Sequence, residues 1–127
     1  MSDKSQDEKR IAILYEHPEW FEPLFAEFDR RGIPYELWTA RRHSYDPAVR
    51  SLPYSLVLNR MSPSSYLRAH GNGIFYARQL LAYLKDIGVP VINPYEAFVV
   101  ETSKALQAEI FERLGLRYPR ARVINHI

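Results

Sequence analysis

The 127-residue sequence contains no cysteine, which excludes disulfide scaffolds, thiolate zinc sites, iron–sulfur clusters and cysteine nucleophiles. It has no run of about eighteen apolar residues, and its start, MSDKSQDEKR, is polar and mixed in charge. Neither a signal peptide nor a membrane anchor is therefore expected, and the expected location is the cytoplasm. Glycine is scarce, at five residues. There is no G-x-x-x-x-G-K-[ST] segment, and Gly71-Asn72-Gly73 falls short of a dinucleotide fingerprint. The four histidines, His17, His43, His70 and His126, lack metal-ligand spacing, so no metal site is expected. A large excess of one charge is also missing, the net value being +2.

What is present is an ordinary globular composition, with 46% hydrophobic and 25% charged residues. A chain of this length buries enough of its surface to fold as one domain. Its charge is unevenly placed: residues 1–39 carry −4, residues 40–68 carry +4 and residues 69–127 carry +2. The basic block consists of Arg41, Arg42, Arg50, Arg60 and Arg68 against Asp46 alone. Guanidinium groups suit bidentate capture of carboxylate or phosphate.

Residues 1–9 read as a solvated tail. Arg10 to Tyr15 is a short apolar run, as a strand buried on both faces requires. Helical spacing follows in Trp20, Phe21, Leu24, Phe25 and Phe28, closed by Gly32. Pro23 argues for a regular helix beginning near Glu22, where a first-turn proline costs little. A second strand is expected at Tyr35–Trp38, a polar loop over 39–53 and a third strand at Tyr54–Leu58. Then come a turn-rich stretch from Asn59, a helix from about Asn72 to Ile87, and a fourth strand at Val89–Ile92. Asn93-Pro94 turns the chain. Thr102 or Ser103 can cap a last helix burying Leu106, Ile110 and Leu114 and stopping at Gly115. Arg120 to Ile127 reads as the opening of a further strand, which suggests a piece of something longer.

Strands without a polar face that alternate with helices predict an α/β, Rossmann-like three-layer fold. The sheet is expected to be short and mostly parallel, with about four strands in the order 2-1-3-4 and helices on both faces. Ligands of such sheets bind where the strand order reverses, outside the carboxyl ends of the first and third strands. The loops there are Glu16 to Trp20 and Asn59 to Gly73. Asn59, Arg60, Ser62, Arg68, His70 and Asn72, together with Glu16 and His17, are the candidate substrate-binding residues. They read as a cradle for a carboxylate or phosphate beside a helix N-terminus, or as a long loop with Asn72 capping the helix and the arginines in water. Glu16 and His17 form either an acid–base pair or a simple turn. The rings of Trp20, Phe21, Phe25 and Phe28 read as core. Flanked by Glu19, Glu22, Glu27 and Asp29, they disfavour a phosphate backbone, so no nucleic-acid partner is expected.

Several segments in succession resemble the N-terminal region of ATP-grasp ligases, above all the RimK-like α-L-glutamate ligases. These are Leu56-Val57-Leu58-Asn59-Arg60-Met61-Ser62-Pro63, Gly71-Asn72-Gly73, Gly88-Val89-Pro90-Val91-Ile92-Asn93, Thr102-Ser103-Lys104-Ala105-Leu106-Gln107 and Leu114-Gly115-Leu116-Arg117-Tyr118-Pro119-Arg120. The resemblance implies that residues 10–117 form a pre-ATP-grasp domain and 118–127 a connector into an ATP-grasp domain absent from this sequence. It further implies ATP and magnesium in the full-length enzyme, an acyl-phosphate intermediate, and Lys104 as a nucleotide-binding residue. The substrate-side expectation is an acidic amino acid or peptide. The segment that would hold magnesium and cover the phosphates is not in the sequence, so no catalytic residue is expected and the chain alone should be inactive. The alternative is a stand-alone α/β domain that binds a partner protein. A homodimer through the exposed C-terminal segment is also expected.

Overall fold

A computed structural model describes residues 10–125, so the expected tail over 1–9 and the end of the last expected strand, at His126 and Ile127, lie outside the described residues. The chain runs β1 (Arg10–Tyr15), α1 (Pro18–Arg30), β2 (Tyr35–Thr39), β3 (Tyr54–Asn59), a 3₁₀ turn (Pro63–Arg68) and α2 (Gly71–Asp86). It continues through β4 (Val91–Ile92), α3 (Tyr95–Glu101) and α4 (Lys104–Arg113). The four strands form one parallel sheet in the order β2-β1-β3-β4. This is the α/β three-layer arrangement with helices on both faces that the alternation of elements predicts.

The two faces of the sheet are closed to different degrees. Ala12, Leu14, Trp38 and Val57 point to the face covered by α2 and α3, where Ala77, Leu80, Leu81, Leu84 and Phe98 complete the main core. The opposite face is covered by α1, whose Phe21, Phe25 and Phe28 contact Tyr15 and Tyr35 edge-on or stacked at 5.2–6.5 Å. No α1 residue is fully buried. The reading of all four α1 rings as core is corrected at Trp20, which is 56% exposed.

Local differences have local causes. The helix α1 begins at Pro18 rather than near Glu22, so Pro23 sits in its second turn and removes one backbone bond. Pro18 at the first helical position needs no donor and presets the backbone angle. The 3₁₀ turn and α3 were not foreseen: Val99 and Val100 are poor helix formers, and burial of Phe98 fixes α3 instead. The last helix packs chiefly on α3, not on the sheet. Its expected apolar side is accordingly only half-buried at Leu106 and Ile110, and Leu114 is exposed. Residues 118–125 form no strand.

Candidate functional site

The carboxyl ends of β1, β3 and β4 meet at the reversal of strand order. β3 ends in Asn59 and β4 is followed by Asn93, and their side chains tie the two ends together. Asn59 Nδ2 donates to the Asn93 carbonyl at 3.0 Å, and Asn93 Nδ2 returns a bond of 3.0 Å to the Asn59 carbonyl. Asn59 Oδ1 also accepts from the Met61 amide at 3.1 Å. Asn93 has a φ of 57°, a left-handed conformation that asparagine tolerates better than most residues. Asn59 is buried, so its amide shapes the site from beneath.

Above this lock opens a cleft of about 450 Å³, lined by Trp20, Phe21, Arg60, Ser62, Ala97 and Glu101 among others. The exposed Arg60 side chain lies over the Phe21 ring, with Cζ 5.2 Å from its centre. Among the described residues, no carboxylate forms an ion pair with it. Its backbone amide donates to the Leu14 carbonyl at 2.8 Å, which fixes Arg60 to the end of β1. Ser62 accepts from the Ser64 amide at 3.2 Å and starts the 3₁₀ turn. A guanidinium without a carboxylate partner, a hydroxyl and an acidic group therefore share one opening.

Three of the other expected ligand-binding residues, Glu16, Arg68 and His70, hydrogen-bond one another. Glu16, only 3% exposed, accepts from Arg68 Nε at 2.8 Å and Nη2 at 2.7 Å, and from His70 Nδ1 at 2.7 Å. Its carboxyl is lowered to about 2, first by the Arg68 hydrogen bond, against the opposing effect of burial, with His70 adding to the lowering. Arg68 also donates to Ser64 Oγ at 3.2 Å and lies over the Trp20 ring at 4.7 Å. Of the two readings of Glu16 and His17, the acid–base pair is not formed: Glu16 pairs with Arg68 and His70. His17 instead stacks on Trp20 at 4.5 Å, with Nδ1 buried and unpartnered. The reversal of the chain that brings His70 to Glu16 is made at Ala69, whose φ of 60° is left-handed.

Asn72 is exposed and does not cap α2; the cap position is His70, without a side-chain cap bond. Lys104 stands at the start of α4, where its ammonium donates to Gln107 Oε1 at 3.0 Å. It lines a separate cleft of about 680 Å³ with Tyr118, Arg122, Val123 and Ile124, apart from the residues around Arg60. Of the expected set, Asn59, Arg60 and Ser62 share the switch-edge cleft, Glu16, Arg68 and His70 form an ion cluster, and Glu16, His70 and Asn72 line a separate cleft of about 350 Å³. Asn93 and Glu101 were not foreseen. The order 2-1-3-4 itself carries a signal for Asn93, because it sets the end of β4 against that of β3.

Among the described residues, no group of three or more histidine, aspartate or glutamate side chains converges to hold a metal ion. No phosphoryl-transfer step is assigned to these residues. No described helix is long and apolar enough to cross a membrane. No protein-family model matches the chain, and no curated protein matches it.

Proposed function

We propose that this chain is the substrate-side, scaffold part of an ATP-dependent carboxylate–amine ligase of the RimK-like, glutamate-type class. The observation that carries this reading is Arg60: a guanidinium with no carboxylate partner among the described residues, lying over Phe21 at the mouth of the switch-edge cleft. Open parallel sheets bind ligands at that edge, and a planar cation there suits the carboxylate of an acidic amino acid or peptide end. Ser62 offers a hydroxyl beside it, and the Asn59–Asn93 lock keeps the loop in place. ATP and magnesium would be bound by an ATP-grasp domain outside these residues, with Lys104 reaching the nucleotide from the start of α4.

The test is titration of the purified chain with L-glutamate, followed at the Arg60 Nε–H by nuclear magnetic resonance. A saturable shift that disappears in Arg60→Ala supports the reading; no shift at Arg60 overturns it. The chain alone is expected to release no ADP from ATP and magnesium, and single-turnover ADP release would overturn this division of labour.

A second reading, a domain that docks another protein or a second copy, is favoured by one feature. Leu114, Leu116, Val123 and Ile124 are all more than half exposed in the segment that follows α4. Self-association that rises with concentration in sedimentation and is lost in Val123→Glu would support it; a monomer at all concentrations removes the second-copy form.

A further inference from the structure

On the α2 side of the sheet, away from the switch-edge cleft, the loop between β2 and β3 closes over a pocket of about 390 Å³. That is large enough for a small organic molecule. Its walls are aromatic: Trp38 from β2, His43 and Tyr45 from the loop, Tyr54 from β3 and Tyr83 from α2. The rings brace one another. Trp38 stacks on His43 at 4.3 Å and meets Tyr54 edge-on at 4.9 Å, and Tyr45 stacks on Tyr83 at 4.6 Å.

Into the same pocket comes the half-buried carboxylate of Glu36. It accepts from Trp38 Nε1 at 3.1 Å and from the Tyr54 hydroxyl at 2.7 Å, so two of the aromatic walls hold it in place. Both partners are neutral donors. Among the described residues, none of the ion pairs involves Glu36. Burial lowers the pKa of His43 against the opposing effect of the Glu36 charge, and the ring shares a 2.6 Å hydrogen bond with the Tyr76 hydroxyl. Arg42 and Asp46 also line the pocket, with Asp46 accepting from the Ala48 amide at 2.8 Å. A fixed negative charge among aromatic rings attracts a cation through both the carboxylate and the ring quadrupoles.

We infer that the Glu36–Trp38–Tyr45–Tyr54 pocket is a binding site for an organic ammonium ion, of the quaternary or alkylated-amine class. This assignment is independent of the function proposed for the Arg60 cleft.

Choline chloride is the probe, and its neutral isostere 3,3-dimethylbutan-1-ol is the control. The two tryptophans give two indole N–H signals, and Trp20, outside the pocket, serves as an internal reference. Choline is expected to shift the Trp38 signal saturably and leave Trp20 unmoved, with the neutral alcohol at least about tenfold weaker. Glu36→Gln is expected to weaken choline binding by about tenfold, and Arg42→Ala to leave it equal or tighter, because a competing cation is removed. Equal response to the neutral alcohol, equal movement of both indoles, or loss of choline binding in Arg42→Ala overturns the assignment. So does unchanged affinity in Glu36→Gln. If Glu36→Gln fails to fold, the comparison of choline with its isostere on the unaltered chain decides alone.

Discussion

Arg68 grips Glu16 with two donors, Nε at 2.8 Å and Nη2 at 2.7 Å, joining the 3₁₀ turn to the end of β1 across 52 residues of sequence. The grip lowers the Glu16 carboxyl from 4.5 to about 2, so the folded state holds this carboxylate ionised more tightly than the unfolded chain does. The stabilisation is fully present above about 4.5 and is lost as pH falls through about 2. Urea denaturation of the unaltered chain should therefore show a steeper loss of stability across that window than Glu16→Gln. The difference between the two curves is the readout, because Glu27 and Glu96 also have lowered values. Parallel curves would show that the ion cluster contributes nothing to folding.

Removing the guanidinium instead leaves the carboxylate buried with only His70 beside it. Arg68→Ala should therefore lower stability at neutral pH, because it strands a carboxylate that is only 3% exposed. The same substitution in a Glu16→Gln background should cost clearly less, since no buried charge is left behind. Additive costs in urea denaturation would mean that Arg68 acts through its packing on Trp20 alone.

The order of elements was legible because β1 and β3 are short, mostly apolar runs and the crossovers have their own stops. Gly32, Gly88 and Gly115 all adopt left-handed φ values of 62° to 75°, which is why glycine ends these segments. The site was legible only in part. Arg60 and Arg68 look alike in sequence, eight residues apart in the same basic loop. Which one is free depends on Glu16, whose burial at the end of β1 is a tertiary fact that loop spacing does not encode. Asn93 and Glu101 escaped notice for a related reason: α3, which carries Glu101, is fixed by burial of Phe98 rather than by helix propensity.

The paired amides of Asn59 and Asn93 define a further test. Asn59→Ala removes two side-chain bonds, leaving the half-buried Asn93 carbonyl short of a donor and the buried Met61 amide without its acceptor, at a cost of about 1–3 kcal/mol. The damage should be local. Amide exchange is expected to rise first where β4 leaves the sheet and at Met61, which loses its acceptor. Unchanged exchange at Met61 would show that the lock does not hold the loop.

Ser103 caps α4, its hydroxyl accepting from the Leu106 amide at 3.1 Å. With α4 packed mainly on α3, the cap is a large part of what fixes its first turn. Ser103→Ala should cost about 1 kcal/mol and Ser103→Asp should restore it, because aspartate caps equally well and favours the helix N-terminus. Helix content by circular dichroism and the denaturation midpoint provide the check. Equal stability of all three chains would make the first turn independent of its cap.

The sharpest separation lies between the two arginines of the loop. Arg60 is exposed and touches Phe21 through its π face, an interaction worth about 0.5–1 kcal/mol at such a site. Arg60→Ala should thus leave the denaturation midpoint nearly unchanged while weakening carboxylate binding at the cleft by about tenfold to a few hundredfold, as expected for loss of a charged hydrogen bond. Arg68→Lys should do the opposite. A single ammonium cannot reproduce both bonds to Glu16, so stability falls, yet the Arg60 side chain keeps its place through the backbone bond to Leu14. Measuring unfolding and L-glutamate binding on both variants crosses structure with recognition. If Arg68→Lys at full folding loses the ligand and Arg60→Ala keeps it, the roles drawn for the two guanidinium groups are reversed.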